Sequence, residues 1–193
     1  LGKILVNSMR WNSFLATGMT IGILIYSPVL IRFLFHYTEN LDQATLICRI
    51  TVVSVWFWLV FRAIPEKYLL MAERHKLLAA AALTECVLFA GSSVLILWFH
   101  PSELVVMWTS IGARLISTCG FILPSLLRST GLRLTPILVQ AVRRPLLAAL
   151  PMTALGTAEY LLLKNRIGDF PLLLLAGFSW GPLYLVFSWF LAL

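Results

Sequence analysis

Residues 77–127 read LLAAAALTECVLFAGSSVLILWFHPSELVVMWTSIGARLISTCGFILPSLL. Two apolar runs, Leu77–Phe99 and Leu104–Leu127, are separated only by His100–Glu103. Each is at least as long as the roughly 20 residues that a helix needs to cross about 30 Å of hydrocarbon. Neither alternates apolar and polar positions as the strands of a membrane barrel do. So short a link leaves the two runs one arrangement, a tight antiparallel helical hairpin.

The same reading extends outward. A run from Trp11 to Ile31 continues past Arg32 to Phe35, and others cover Gln43–Phe61, Pro145–Leu163 and Phe170–Leu193. The expected fold is an all-α polytopic bundle of six transmembrane helices. Composition excludes an ordinary soluble domain: 60% of the 193 residues are hydrophobic and 12% charged, where about half and about a quarter are usual. The net charge of +7 would suggest nucleic acid if it formed a stripe on a folded surface. The basic residues instead stand between the apolar runs, so membrane lipids are the expected partner and nucleic acid is not.

Ten basic residues fall on one side of the six runs: Lys3, Arg10, Arg62, Lys67, Arg74, Lys76, Arg128, Arg133, Arg143 and Arg144. The other side holds Arg32, Lys164 and Arg166. Cytoplasmic loops retain Lys and Arg, so both termini are expected in the cytoplasm. Trp11, Trp98 and Trp108 stand at run ends, as interfacial indoles do. The inner links, Arg62–Lys76 and Arg128–Arg144, are amphipathic and are expected to lie along the cytoplasmic interface. The first run is too long for a signal peptide and lacks a cleavage pattern. A start at Leu1 instead of Met gives the expectation of a piece of a longer protein. Cys48, Cys86 and Cys119 are single and mid-run, which reads as packing and not as a disulfide or metal framework.

A charge at the bilayer centre costs about 2.5–3.5 kcal/mol on insertion scales, so each one asks for a partner or a cavity. Four positions qualify: Arg49, Glu85, Arg114 and Glu159. Met107, Ser110, Ser117, Thr118 and Phe121 share a helix face with Arg114 and form a polar stripe. Counted from the outer link, Glu85 and Arg114 differ in depth by about 6 Å, within reach of two long side chains, so they are expected to pair. The functional reading of Arg114 is a fork for an anionic substrate group in a hydrated cavity. Arg49 is expected to snorkel to the interface or to Asp42, and Glu159, close to Lys164, to be an interfacial charge. Pro28, Pro124, Pro151 and Pro182 are expected to interrupt or kink their helices.

Enzyme chemistry is not expected. His36, His75 and His100 fall outside the runs and lack metal-ligand spacing, and no H-E-x-x-H, nucleophile elbow, P-loop or carboxylate pair occurs. No catalytic residue, metal or cofactor is assigned.

A further pattern lies in the order of features. Pro28-Val29-Leu30-Ile31-Arg32-Phe33-Leu34-Phe35 closes the first run, and Leu69-Leu70-Met71-Ala72 precedes Glu73-Arg74-His75-Lys76. Leu126-Leu127-Arg128-Ser129-Thr130-Gly131-Leu132 closes the fourth, and Arg144-Pro145-Leu146-Leu147-Ala148-Ala149-Leu150-Pro151-Met152 opens the fifth. This order resembles the C-terminal part of polysaccharide biosynthesis proteins and lipid-linked oligosaccharide flippases, within the multidrug/oligosaccharidyl-lipid/polysaccharide flippase superfamily. The resemblance covers nearly the whole chain but about the last six of a member's fourteen helices. It implies a four-helix part of a C-terminal transporter lobe over residues 1–127, a cytoplasmic amphipathic link over 128–144 and two additional helices over 145–193. It also implies a missing N-terminal lobe, the bacterial inner membrane, and export of a polyprenyl-pyrophosphate-linked saccharide. On this reading Arg114 and Arg49, with Ser110 and Ser117, contact substrate, and Glu85 is an ion-pair or coupling residue. The alternative is a six-helix scaffold or partner subunit with no transport pathway of its own.

Overall fold

The computed structural model describes residues 2–36, 40–99 and 102–192, which among them form helices and no strand. Six helices are long and apolar enough to span a bilayer. They are α1 (Gly2–Phe35), α2 (Leu41–Met71), α3 (His75–Phe99), α4 (Leu104–Thr130), α5 (Leu134–Leu163) and α6 (Asp169–Ala192). The chain is a multi-pass helical membrane protein. His100 and Pro101 of the expected tight link lie outside the described residues.

Hydrogen-bond register gives the helix directions. Ser93 meets Thr109 at 2.8 Å, and Ser117 donates to the Ala81 carbonyl at 2.8 Å. Partner numbers that fall on one helix as they rise on the other define an antiparallel pair, so α3 and α4 form the expected hairpin. Trp56 Nε1 donates to Thr17 at 2.9 Å, and Asn12 Nδ2 reaches the Leu59 carbonyl, which makes α1 and α2 antiparallel too. In α1 and α5 the numbers rise together: Phe14 packs with Ala148 and Met152, and Tyr26 reaches Gly156. The first and fifth helices thus run the same way while the α1–α2 and α3–α4 pairs reverse, as successive membrane crossings must.

The hub is α1. Of its apolar window 56% is buried, against 11% in α3, so α3 leaves most of its surface uncovered. Exposed residues include Trp98 and Trp108 at helix ends, and Cys86 and Cys119. These two cysteines are exposed, not packed in the core as expected.

The inner links are mostly helix. Arg62–Met71 continues α2, and residues 134–144 open α5, leaving only short turns at 72–74 and 131–133. The reason is burial. Phe61, Leu69, Ile137 and Ala141 are core residues, and lying flat on the interface would strip them of their packing. Gly131, at φ 67°, ends α4 in the left-handed conformation that glycine adopts without steric cost.

Three helices widen for five residues into π turns, at Leu59–Ala63, Thr118–Ile122 and Val139–Arg143. Two residues beyond each stands a proline: Pro65, Pro124 and Pro145. A proline ring meets the carbonyl four residues earlier and offers no N–H. That carbonyl belongs to Phe61, Gly120 or Ala141, the middle residue of each widened turn. The looser i→i+5 bonding carries it clear of the ring. Pro28, Pro151 and Pro182 sit in unbroken α-helix instead.

Candidate functional site

Among α2, α3 and α4 lies a cavity of about 410 Å³, lined by Thr51, Ser54, Phe89, Met107, Ser110 and Arg114 with neighbouring apolar side chains. Three hydroxyl groups and one guanidinium therefore share a space otherwise walled by hydrocarbon. Small residues near it let the helices approach. Ala81 is fully buried, and its carbonyl takes the Ser117 hydroxyl.

Glu85 sits at the deep edge of this site between two arginines. Arg114 Nε donates to Glu85 Oε1 at 3.4 Å, and Arg114 Nη1 donates to Ser54 Oγ at 3.2 Å. Arg62 Nη1 pairs with the other carboxylate oxygen, and Arg62 Nε pairs with Glu66 one turn along α2. The two arginines are held differently. Arg62 is 7% exposed and grips two carboxylates. The Arg114 side chain is 29% exposed, and its contact with Glu85 is longer than the 2.7–2.9 Å of a good charge-assisted bond. Of its five N–H donors, two are engaged, which leaves the rest for the cavity.

Sequence reasoning placed Arg62 in an inner link, and the structure places it inside the bundle. The π turn at Leu59–Ala63 swings it inward. Its signal in the sequence is Glu66, the i+4 partner of Arg62 on one helix face.

The other sequence-derived residues separate. Ser110 lines the cavity beside Arg114. Ser117 does not: it is fully buried, and its hydroxyl is committed to the Ala81 carbonyl. Arg49 is not in the cavity lining and does not reach Asp42. Its Nε donates to the Leu24 carbonyl and to Ser27 Oγ, both at 3.1 Å. Pro28 lacks the N–H that the Leu24 carbonyl would otherwise accept, so Arg49 from α2 and the Ser27 hydroxyl of α1 itself satisfy that carbonyl.

Glu159 turns into the bundle: its carboxylate accepts Ser179 Oγ at 2.9 Å and Tyr26 OH at 3.4 Å. Lys164 turns instead to the Tyr160 ring, 5.4 Å from its centroid.

No family model, curated protein or solved structure matches the chain, so its own geometry carries the functional reading.

Proposed function

We propose that this chain is part of an exporter or flippase of the bacterial inner membrane that moves a lipid-linked saccharide, with the Arg114 cavity receiving the anionic pyrophosphate. One observation carries the reading: a loosely held guanidinium with spare donors lines one cavity inside a membrane bundle together with Thr51, Ser54 and Ser110. A cation costs least there when an anion visits it. Apolar grooves support the second half of the substrate. One of about 560 Å³ runs along Leu138, Val142, Leu146 and Leu150, and one of about 470 Å³ passes Gly18, Gly177, Gly181 and Tyr184. Their apolar walls suit a polyprenyl chain.

The test is flipping of a fluorescent polyprenyl-pyrophosphate saccharide in proteoliposomes made with the longest protein containing this chain. Arg114→Ala is expected to slow flipping at least tenfold and Arg114→Lys less, because lysine keeps the charge without the fork. Wild-type rates in Arg114→Ala would overturn the reading. The scaffold alternative is favoured by one fact, the engagement of Arg114 with Glu85 and Ser54. On that reading Arg114→Ala lowers stability and leaves flipping by the assembled protein unchanged.

A further inference from the structure

A second, smaller cavity of about 290 Å³ opens at the end of the bundle where α3 begins and α4 finishes. It is lined by Arg74, Leu77, Ser125, Arg128 and Ser129. No carboxylate is among these, and neither guanidinium has a partner among the described residues. Both arginines are exposed, and two like charges on one open cleft make a local positive potential that draws an anion between them.

The surrounding backbone fixes where the Arg74 side chain begins. Glu73, at φ 58°, closes α2 with a Schellman turn: the Arg74 N–H reaches the Leu69 carbonyl at 2.9 Å, and the Glu73 N–H reaches Leu70 at 3.1 Å. The Arg74 carbonyl then accepts from Leu77 and Leu78 in the first turn of α3. Arg74 is thereby tied at both its amide and its carbonyl. Opposite it, Ser129 Oγ bonds the Ser125 carbonyl at 2.7 Å, while the Ser125 hydroxyl has no partner among the described residues and can donate into the cavity. Two guanidinium forks and a hydroxyl match the oxygens of a phosphate.

The apolar surroundings decide which phosphate. Leu70 and Met71 beside the cavity are 52% and 78% exposed, and Leu83 and Val87 further along α3 are 67% and 62% exposed. A headgroup in the cavity leaves its acyl chains against this uncovered surface. We propose that the Arg74–Arg128 cavity binds the phosphodiester of an anionic phospholipid whose chains lie along the lipid-facing side of α3. The site is separate from the Arg114 cavity and holds whether or not the chain transports anything.

Native mass spectrometry of the purified chain in a neutral detergent tests this, with phosphatidylglycerol and phosphatidylcholine titrated in parallel and inorganic phosphate as competitor. Phosphatidylglycerol is expected to bind at least tenfold more tightly than phosphatidylcholine. Arg74→Ala/Arg128→Ala should erase that preference, and Arg133→Ala, on the neighbouring turn but outside the cavity lining, should keep it. Should the double variant fail to fold, Arg74→Gln and Arg128→Gln are compared singly, each expected to lose at least half of the preference on a logarithmic scale. A preference that survives both arginine changes, or that Arg133→Ala removes equally, would overturn the site. Displacement of the lipid by low-millimolar inorganic phosphate would overturn the lipid as its occupant and assign a free anion.

Discussion

The two halves of this bundle are held by different chemistry. In α1, α5 and α6 the contacts across helices are aromatic rings and neutral hydroxyl groups. Tyr184 OH donates to the Phe14 carbonyl at 2.6 Å, Phe33 stacks on Phe170 at 5.6 Å, and Glu159 is satisfied by Ser179 and Tyr26. Its one ion pair among the described residues, Arg32–Asp169 at 2.9 Å, stands at the rim where α6 begins. In α2, α3 and α4 the ties include a run of charges around the buried Arg62, Glu66–Arg62–Glu85–Arg114, and a cavity opens beside it. Lipid gives helices no hydrophobic reason to associate, so packing and polar bonds do it. The half built on packing leaves apolar grooves, and the half built on charge keeps a cavity that carries polar groups. The contrast places the structural anchor and the functional candidate on one carboxylate, Glu85.

The largest test of that contrast is Arg62→Ala. Removing one partner of a buried pair typically costs about 3–5 kcal/mol, and the lower end is expected here because Glu85 keeps Arg114. Arg114→Ala should cost about 1 kcal/mol, since Glu85 keeps Arg62 and the bond from Arg114 to Glu85 is long. Unfolding of the two variants in mixed micelles measures both. Equal costs would dissolve the division of labour between the arginines. Next in size is Gly18→Leu, aimed at the other half. A side chain at Gly18 meets the Tyr184 ring, whereas nothing lies within 4 Å of Gly91. Overpacking predicts a destabilisation of about 1–3 kcal/mol at Gly18, and Gly91→Ala should gain about 0.5–1 kcal/mol of helix propensity. A neutral Gly18→Leu would mean that α6 docks loosely.

Much of this was legible in the residues, because lipid imposes a simple code. Length and continuous apolarity set six helices, and the short link before Glu103 set the α3–α4 hairpin. The Glu85–Arg114 approach followed from counting residues at about 1.5 Å each. What escaped has a common cause, namely that a count of charges or of depth assumes straight, regular helices. Arg62 looked like a loop cation, yet the π turn before Pro65 carries it inside. Glu159 looked like a partner of Lys164, and only the fold brings it the hydroxyl groups of Tyr26 on α1 and Ser179 on α6. Arg49 reads as snorkelling to the interface or to Asp42, and its Nε finds a proline-freed carbonyl instead of Asp42. Ser117 shares the helix face of Arg114, and one further turn of α4 takes it from the cavity into the contact with α3.

The smallest effects are expected from the neutral bonds. Ser117→Ala removes a buried bond of 2.8 Å to the Ala81 carbonyl. Interhelical side-chain bonds in membranes average about 0.6 kcal/mol and reach about 1.7, and this burial places Ser117 in the upper part of that range. Tyr26→Phe should fall below it. The Tyr26 hydroxyl stands 3.3 Å from the Gly156 carbonyl and 3.4 Å from Glu159, well beyond the roughly 2.7–2.8 Å of a strong O–H···O bond. Phenylalanine keeps the T-shaped contact with Tyr160 at 6.0 Å. The carboxylate then leans chiefly on Ser179, so Ser179→Ala should cost more in the Tyr26→Phe background than in the wild type. A double-mutant cycle reads that difference directly. Additive costs would separate the two hydroxyl groups, and a coupling of about 0.5 kcal/mol or more would mean that they stabilise one charge together, as the charged half does with its arginines.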